Sequence, residues 1–255
     1  MRESDAIRNP WIIGFLPGIV LFAASGCGVA AFSHNSTGVQ HYLTRNYPAA
    51  RQEFQQAISI APEDANGYYN LAATLHRLGM DRRQANTSPE ATELLNQAEN
   101  LYNQALDKQP NHDESYRGLA VLLVETERSD RAFALLRNWL LANPTSSDAR
   151  VRLAQLYEEF GQTEEAKHYL QEALAQNPQH TRAVNALAKL REDSGDLGQA
   201  IANYQRSLQI DARQPQIASR VTTLQQRAWG INPGINPGVT AATSTATAPP
   251  ALKRY

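Results

Sequence analysis

A single repeat length, 34 residues, governs this chain and leaves little freedom in how it folds. Pro110, Pro144, Pro178 and Ala212 stand 34 residues apart, and Pro62 precedes Pro110 by 48, one repeat plus 14. Twelve residues before each mark lies an alanine: Ala50, Ala98, Ala132, Ala166 and Ala200. Eight before each mark lies a large apolar or aromatic residue: Phe54, Tyr102, Leu136, Leu170 and Tyr204. A small residue followed four positions later by a large one defines one face of a helix. The small residue admits a close neighbour, and the large one fills the space beside it.

A second apolar rhythm precedes the first in copies two to five. Tyr68, Leu71, Ala72 and Leu75 lead to Gly79, and Leu153, Ala154 and Tyr157 lead to Gly161. Val184, Leu187 and Ala188 lead to Gly195, while Tyr116, Leu119, Ala120 and Leu123 lead to Glu127, where a glycine is expected. Glycine closes a helix because it accepts the left-handed conformation of the residue after the last turn. Each copy is therefore two helices joined by a tight turn.

This pattern resembles the tetratricopeptide repeat (TPR), a helix–turn–helix of about 34 residues, over roughly residues 36 to 211. The resemblance implies an all-α protein, a right-handed superhelix or α-solenoid of about five hairpins closed by a C-terminal capping helix. One hairpin cannot bury its own apolar face, so each leans on the next. The repeats are expected at about 36–62, 65–110, 113–144, 147–178 and 181–212, with the cap at 214–229 and a domain spanning 36–229. Pro215 suits a first helical turn, and Ile217, Val221, Leu224 and Ala228 form the stripe of the cap.

Two places depart from the rhythm. In copy one, His34, Thr37 and Gly38 replace large residues, so its first helix is expected to be short or frayed. In copy two, an insertion at 81–94 is expected to form a loop from Met80 to Thr87 followed by about one extra turn. Ser88, Pro89 and Glu90 would start the next helix, as a capping hydroxyl, a first-turn proline and an acid at the positive end.

The amino-terminal residues bear on location. Arg2 and Arg8 precede an apolar stretch from Trp11 to Ala24, followed by Ser25, Gly26 and Cys27. A basic start, an apolar core and small residues describe a secretory signal, here residues 1–26. Cys27, the only cysteine, follows Ala24-Ser25-Gly26 in a context similar to the lipobox of bacterial lipoproteins. Leucine is usual three positions earlier; Ala24 stands there. The resemblance implies lipidation of Cys27 and a tether over 27–35. The alternative is an uncleaved anchor, since Trp11 to Phe32 gives 22 mostly apolar residues and about 20 suffice to span a bilayer. In either case Arg2 and Arg8 stay cytoplasmic, and the repeats face the extracytoplasmic, periplasmic side. Residues 230–255 repeat Ile-Asn-Pro-Gly and run into Thr, Ala, Ser and Pro, a composition expected to be a disordered tail.

A net charge of −1 spread along the chain carries no nucleic-acid footprint. No phosphate loop, metal-binding helix or nucleophile constellation is present in the sequence, so neither enzymatic activity, a metal nor a cofactor is expected. His112 and His180 are expected as solvated turn residues.

In the family, the first helices line a concave groove that grips peptides. Carried onto this sequence, that register gives Asn66, Tyr69, Ala73, His76 and Arg77 in copy two. Copy three gives Glu114, Arg117, Val121, Val124 and Glu125; copy four, Asp148, Val151, Gln155, Glu158 and Glu159; copy five, Arg182, Asn185, Lys189, Glu192 and Asp193. Copy one supplies Asn35, Val39 and Tyr42, which do not match the set that grips a terminal carboxylate. The resemblance extends to TPR-containing envelope lipoproteins. It implies a membrane-tethered scaffold or adaptor for other envelope proteins, engaged in assembling an envelope complex. The alternative is a non-catalytic regulatory subunit of a cell-wall or polysaccharide enzyme.

Overall fold

The computed structural model describes residues 26–85 and 89–228, with side chains from residue 29 onward and none at Ala85. The signal or anchor segment, the tail from 230, Trp229 and Ser88 lie outside the described residues, as does the side chain of Cys27. Eleven helices make up the described part, in two compact units that meet in sequence at Gln162 and Thr163.

The first unit contains α1 (Gly26–Leu43), α2 (Tyr47–Ile60), α3 (Ala65–Ala85), α4 (Pro89–Lys108), α5 (Asp113–Glu125), α6 (Ser129–Ala142) and α7 (Ser147–Glu159). Consecutive helices pack as antiparallel pairs, and the first helices also touch each other in the order α1, α3, α5, α7. The second unit contains α8 (Thr163–Gln176), α9 (Thr181–Asp193), α10 (Leu197–Ile210) and α11 (Pro215–Ala228), each packed on the next. The architecture is an all-α TPR solenoid of paired helices with a capping helix.

Every residue of the two rulers is buried: the five alanines from Ala50 to Ala200 and the five large partners from Phe54 to Tyr204. The first helices begin on side-chain caps at the same 34-residue interval. His112, Ser146 and His180 accept the backbone N–H of Ser115, Ala149 and Ala183 respectively. This corrects the expectation of solvated histidines. His112 is buried, its Nδ1 2.8 Å from Ser115 Oγ and 3.2 Å from the Ser115 nitrogen, and burial pulls its pKa down against nearby Glu114 and Asp113. A ring nitrogen serves as well as a serine oxygen at an N-cap because only an acceptor is required there.

Helix ends follow the expected chemistry at Gly161 (φ +72°) and Gly195 (φ +82°). Glu127 occupies the same position in copy three at φ +63°, and Arg45 in copy one at φ +60°. Gly79 behaves otherwise. It lies inside α3, and a Cβ there would come within 2.8 Å of Leu95 Cγ, so it permits a close helix crossing and does not end the helix. The insertion consequently forms helix where a loop from Met80 was expected: α3 runs on to Ala85, and α4 starts at Pro89. Met80 to Ala85 contain no glycine or proline and consist of adequate helix formers, so nothing local stops the turn from propagating.

Copy one also differs from the expectation of a frayed first helix. Helix α1 is 18 residues long and takes in residues 27–35, where a tether was expected. Its unusual residues have a positional reason. Gly38 sits where a Cβ would come 2.6 Å from the Phe54 ring, and Ser33, Ser36, Thr37 and Gln40 are exposed. In α5 the residues at the registers of Ser33, Ser36 and Gln40 are Ser115, Gly118 and Leu122, all buried. Gly118 faces the Tyr102 ring of α4. No described helix precedes α1, so polar residues suit its open face.

In the second unit, Val221 and Leu224 of α11 join Ala188, Ala200 and Tyr204 in one buried cluster, with Ile217 packed at its edge. Ala228, expected in that stripe, is exposed. Glu192 of α9 is buried beneath the cap and receives Arg220 Nε at 2.9 Å, with Arg220 Nη2 bonded to its other oxygen.

Candidate peptide-binding groove

The first helices of unit one bring the groove register of copies one to four onto one face. Tyr69 is buried, and its hydroxyl accepts from Arg117 Nη2 at 3.3 Å. Burial holds that phenol well above the usual tyrosine range. His76 is buried with its Nε2 2.8 Å from Glu125 Oε2, and its ring meets Tyr102 edge-on at 6.2 Å. Arg77 pairs with Asp81 at 3.2 Å on its own helix. Asn66 is exposed at the first turn of α3, bonded through Nδ2 to Asp64 Oδ1 at 2.8 Å. Much of the expected contact set thus ties α3 to α5 and is already engaged within the chain.

Two hollows open on this face. The first is a shallow dip between α1 and α3 with Phe54 of α2 at its back; Val39, Tyr42, Tyr69, Asn70 and Ala73 line it. Burial, reinforced by Tyr47, raises the Tyr42 phenol to about 12. The second, equally shallow, lies between α5 and α7 with Leu136 of α6 behind it. Val121, Val124 and Leu156 give it apolar walls, and Arg117, Gln155 and Glu159 stand at its margin. Each combines apolar walls with polar groups at its edge.

The charge around the second hollow is divided. On one side Arg152 of α7 is buried in a two-pronged bond with Asp113 of α5, at 2.7 Å from Nε and 2.5 Å from Nη2, and its Nη1 reaches Gln155 Oε1 at 3.2 Å. A planar guanidinium against a carboxylate is the strong form of ion pair. On the other side Glu125, Glu158 and Glu159 gather at the helix C-termini, where the dipole disfavours anions. The Glu159 carboxyl is held above the usual carboxylate range by partial desolvation and then by Glu125 and Glu158, although the residue as a whole is exposed.

Sequence reasoning missed Arg152 and Asp113. One repeat further on, their positions hold Ala186 and Ser147, so no recurring pattern marks the pair. It also missed the reach of the insertion. Arg83 donates to the Glu125 backbone oxygen at 2.8 Å and pairs with Glu127 at 3.2 Å, tying the lengthened α3 to the end of α5. Asn185 and Lys189 stand on α9 in the second unit. Asn185 Nδ2 donates to Gln214 Oε1 at 2.8 Å, and Lys189 pairs with Asp193 at 3.2 Å. Among the described residues no group of three or more His, Cys, Asp or Glu side chains is placed to hold a metal ion.

A row of packed first helices presenting one shared face defines a helical-repeat scaffold. Tetratricopeptide repeat models match residues 127–190, 91–147 and 181–214, and a TPR repeat model matches 41–79, together more than half of the sequence. The chain belongs to the tetratricopeptide repeat family. Among solved structures, TTC0263, a thermophilic TPR protein of Thermus thermophilus, is 24% identical over 77% of this chain and 99% of its own, with a TM-score of 0.56. Pseudomonas aeruginosa pilF is 17% identical over 82% of this chain and 96% of its own, with a TM-score of 0.48. No curated protein matches the chain.

Proposed function

We propose that this chain is a membrane-tethered TPR scaffold that holds segments of other envelope proteins on the extracytoplasmic side, in the assembly of an envelope complex. One observation supports the binding role above the rest: the face shared by α1, α3, α5 and α7 carries two apolar hollows with charged groups between and beside them. The tether rests on the sequence: the basic start, the apolar stretch from Trp11 and Cys27 after small residues. Among the described residues no helix is long and apolar enough to cross a membrane.

Crosslinking in intact cells followed by recovery of the chain tests both parts. Val124→Glu and Arg77→Glu are expected to reduce recovery of the partner severalfold while leaving helicity intact. Undiminished recovery with both variants refutes the groove as the contact surface. Radiolabelled fatty acid is expected in the wild type and absent from Cys27→Ser; equal labelling removes the lipid site. A hydrolase or glycosyltransferase as the recovered partner replaces the assembly role with that of a subunit serving such an enzyme.

A further inference from the structure

Resting on the tether reading above, we infer that the first two turns of α1 dock on the lipid surface, with Val29 and Phe32 seated at the boundary between headgroups and acyl chains. These two large apolar side chains are 65% and 46% exposed and stand three residues apart on one face of α1. Ala31 between them is buried, so the helix is seated on the first unit while that face points away from it.

The exposed face changes character along the helix. Beyond Phe32 it carries Ser33, Ser36, Thr37 and Gln40, none of them apolar. A seam for a second protein helix keeps its apolar residues along the whole contact, whereas a helix that rises from a bilayer needs them only at its base. The charge pattern agrees. No Asp, Glu, Lys or Arg stands from Asn9 to Thr44, a run of 36 residues that includes all of α1. Nothing on this helix has to shed the hydration of a fixed charge to approach lipid.

The covalent chain fixes the distance. Helix α1 already includes residue 27, so no flexible leader separates Val29 from the point of attachment. At 1.5 Å per helical residue, Val29 lies ~3 Å and Phe32 ~8 Å past Cys27. The headgroup layer is itself roughly 5–8 Å deep on each side of the bilayer. Lipid on Cys27 thus leaves both side chains at headgroup depth, and an uncleaved stretch from Trp11 carries them at its outer end. The first hairpin leaves room for this contact. Asn35 donates to Asp64 at 3.4 Å and accepts from Asn70 at 3.3 Å, so it stands level with the start of α3. The nine residues from Gly26 to His34 come before that level, ~13 Å of helix. Docked in this way, α1 sets the height of the first hairpin above the membrane, a constraint that a flexible tether does not supply.

The test returns the full chain, extracted from membranes, to vesicles of radiolabelled phosphatidylcholine. The photoreactive residue p-benzoylphenylalanine stands in place of Val29, Phe32, Thr37 or Leu141, the last an exposed apolar control on α6. Probes at positions 29 and 32 are expected to crosslink lipid at least tenfold more than those at 37 and 141. Phe32→Asp, at an exposed position that leaves the fold alone, is expected to cut lipid crosslinking from position 29 severalfold while the chain still floats with the vesicles. Equal crosslinking at all four positions, crosslinks from 29 and 32 to a second copy of the chain in place of lipid, or undiminished crosslinking from 29 in Phe32→Asp each overturns the inference. The tether reading fails separately. A chain that does not float with vesicles loses the tether and the docking together, whereas one that floats without crosslinking lipid from 29 and 32 keeps the tether and loses the docking.

Discussion

Replacing Glu127 by glycine is expected to stabilise the first unit, even though it removes a charged residue that pairs with an arginine. Glu127 ends α5 at φ +63°, in the conformation that Gly161 and Gly195 occupy at the same register. A residue with a Cβ in this region carries a strain of about 1–2 kcal/mol relative to the right-handed form. Glycine gives back roughly 0.4–1 kcal/mol of that through the greater freedom of its unfolded chain. The Arg83–Glu127 pair is 3.2 Å long with the glutamate 85% exposed, so it is worth only a few tenths, about 0.2–0.5 kcal/mol. Arg83 also keeps its bond to the Glu125 carbonyl, which the substitution does not touch. The balance is a gain of about 0.5 kcal/mol, and for a chain of this size each kcal/mol moves Tm by roughly 2–4 °C. Differential scanning calorimetry should show a rise of about 1–2 °C for Glu127→Gly. A second substitution, Arg45→Gly, should add to it, because the two residues stand in different hairpins, one after α1 and the other after α5. Gly161→Ala is the converse: a Cβ there meets nothing within 4 Å, so any loss comes from backbone strain alone, about 1 kcal/mol. An unchanged or lower Tm for Glu127→Gly, alongside a destabilised Gly161→Ala, would refute the assignment of strain to residue 127.

Asp113→Ala leaves the Arg152 guanidinium, 9% exposed, without its carboxylate and is expected to cost about 3–5 kcal/mol in urea unfolding. The paired change Asp113→Leu with Arg152→Met should recover most of this, and a double variant as unstable as the single would contradict the desolvation argument. Glu159 has its folded pKa raised, so the folded state holds that proton more tightly and wild-type stability falls as pH rises through and beyond the usual carboxylate range. Glu159→Gln is therefore expected to raise the unfolding midpoint at neutral pH, with the gain vanishing in acid; a gain that is the same at both pH values refutes the cause. Tyr204 is pushed up to about 12 by burial and then by Glu192, against about 10 when unfolded, so the stability it lends is complete below 10 and lost as pH climbs toward 12. Tyr204→Phe should flatten part of the alkaline fall in midpoint, and an identical alkaline profile would show that this phenol does not carry it.

The sequence alone determined the helical pairs, their register and the buried small-and-large ruler. Those features depend on contacts four residues apart and on repetition, both of which are local. It also marked Glu127 as an anomaly, and the left-handed backbone there is the same fact in three dimensions. The placement of the groove register on the first helices followed from the repeat, but Val151 and Glu192, read onto that face, are buried, Glu192 beneath the cap. Only the tertiary structure decided what those residues do. Tyr69, His76 and Glu125 looked available in sequence, yet each is engaged by a residue 48 or 49 positions away. The Arg152–Asp113 pair joins two repeats through residues that the next copy does not match, so periodicity could not flag it. Gly79 read as a helix end because the repeat places one there, but Leu95 of the next helix needs the space and no residue up to Ala85 stops the helix. Repetition encodes the contacts that every copy shares; contacts made once, between particular neighbours, are set by how the helices pack.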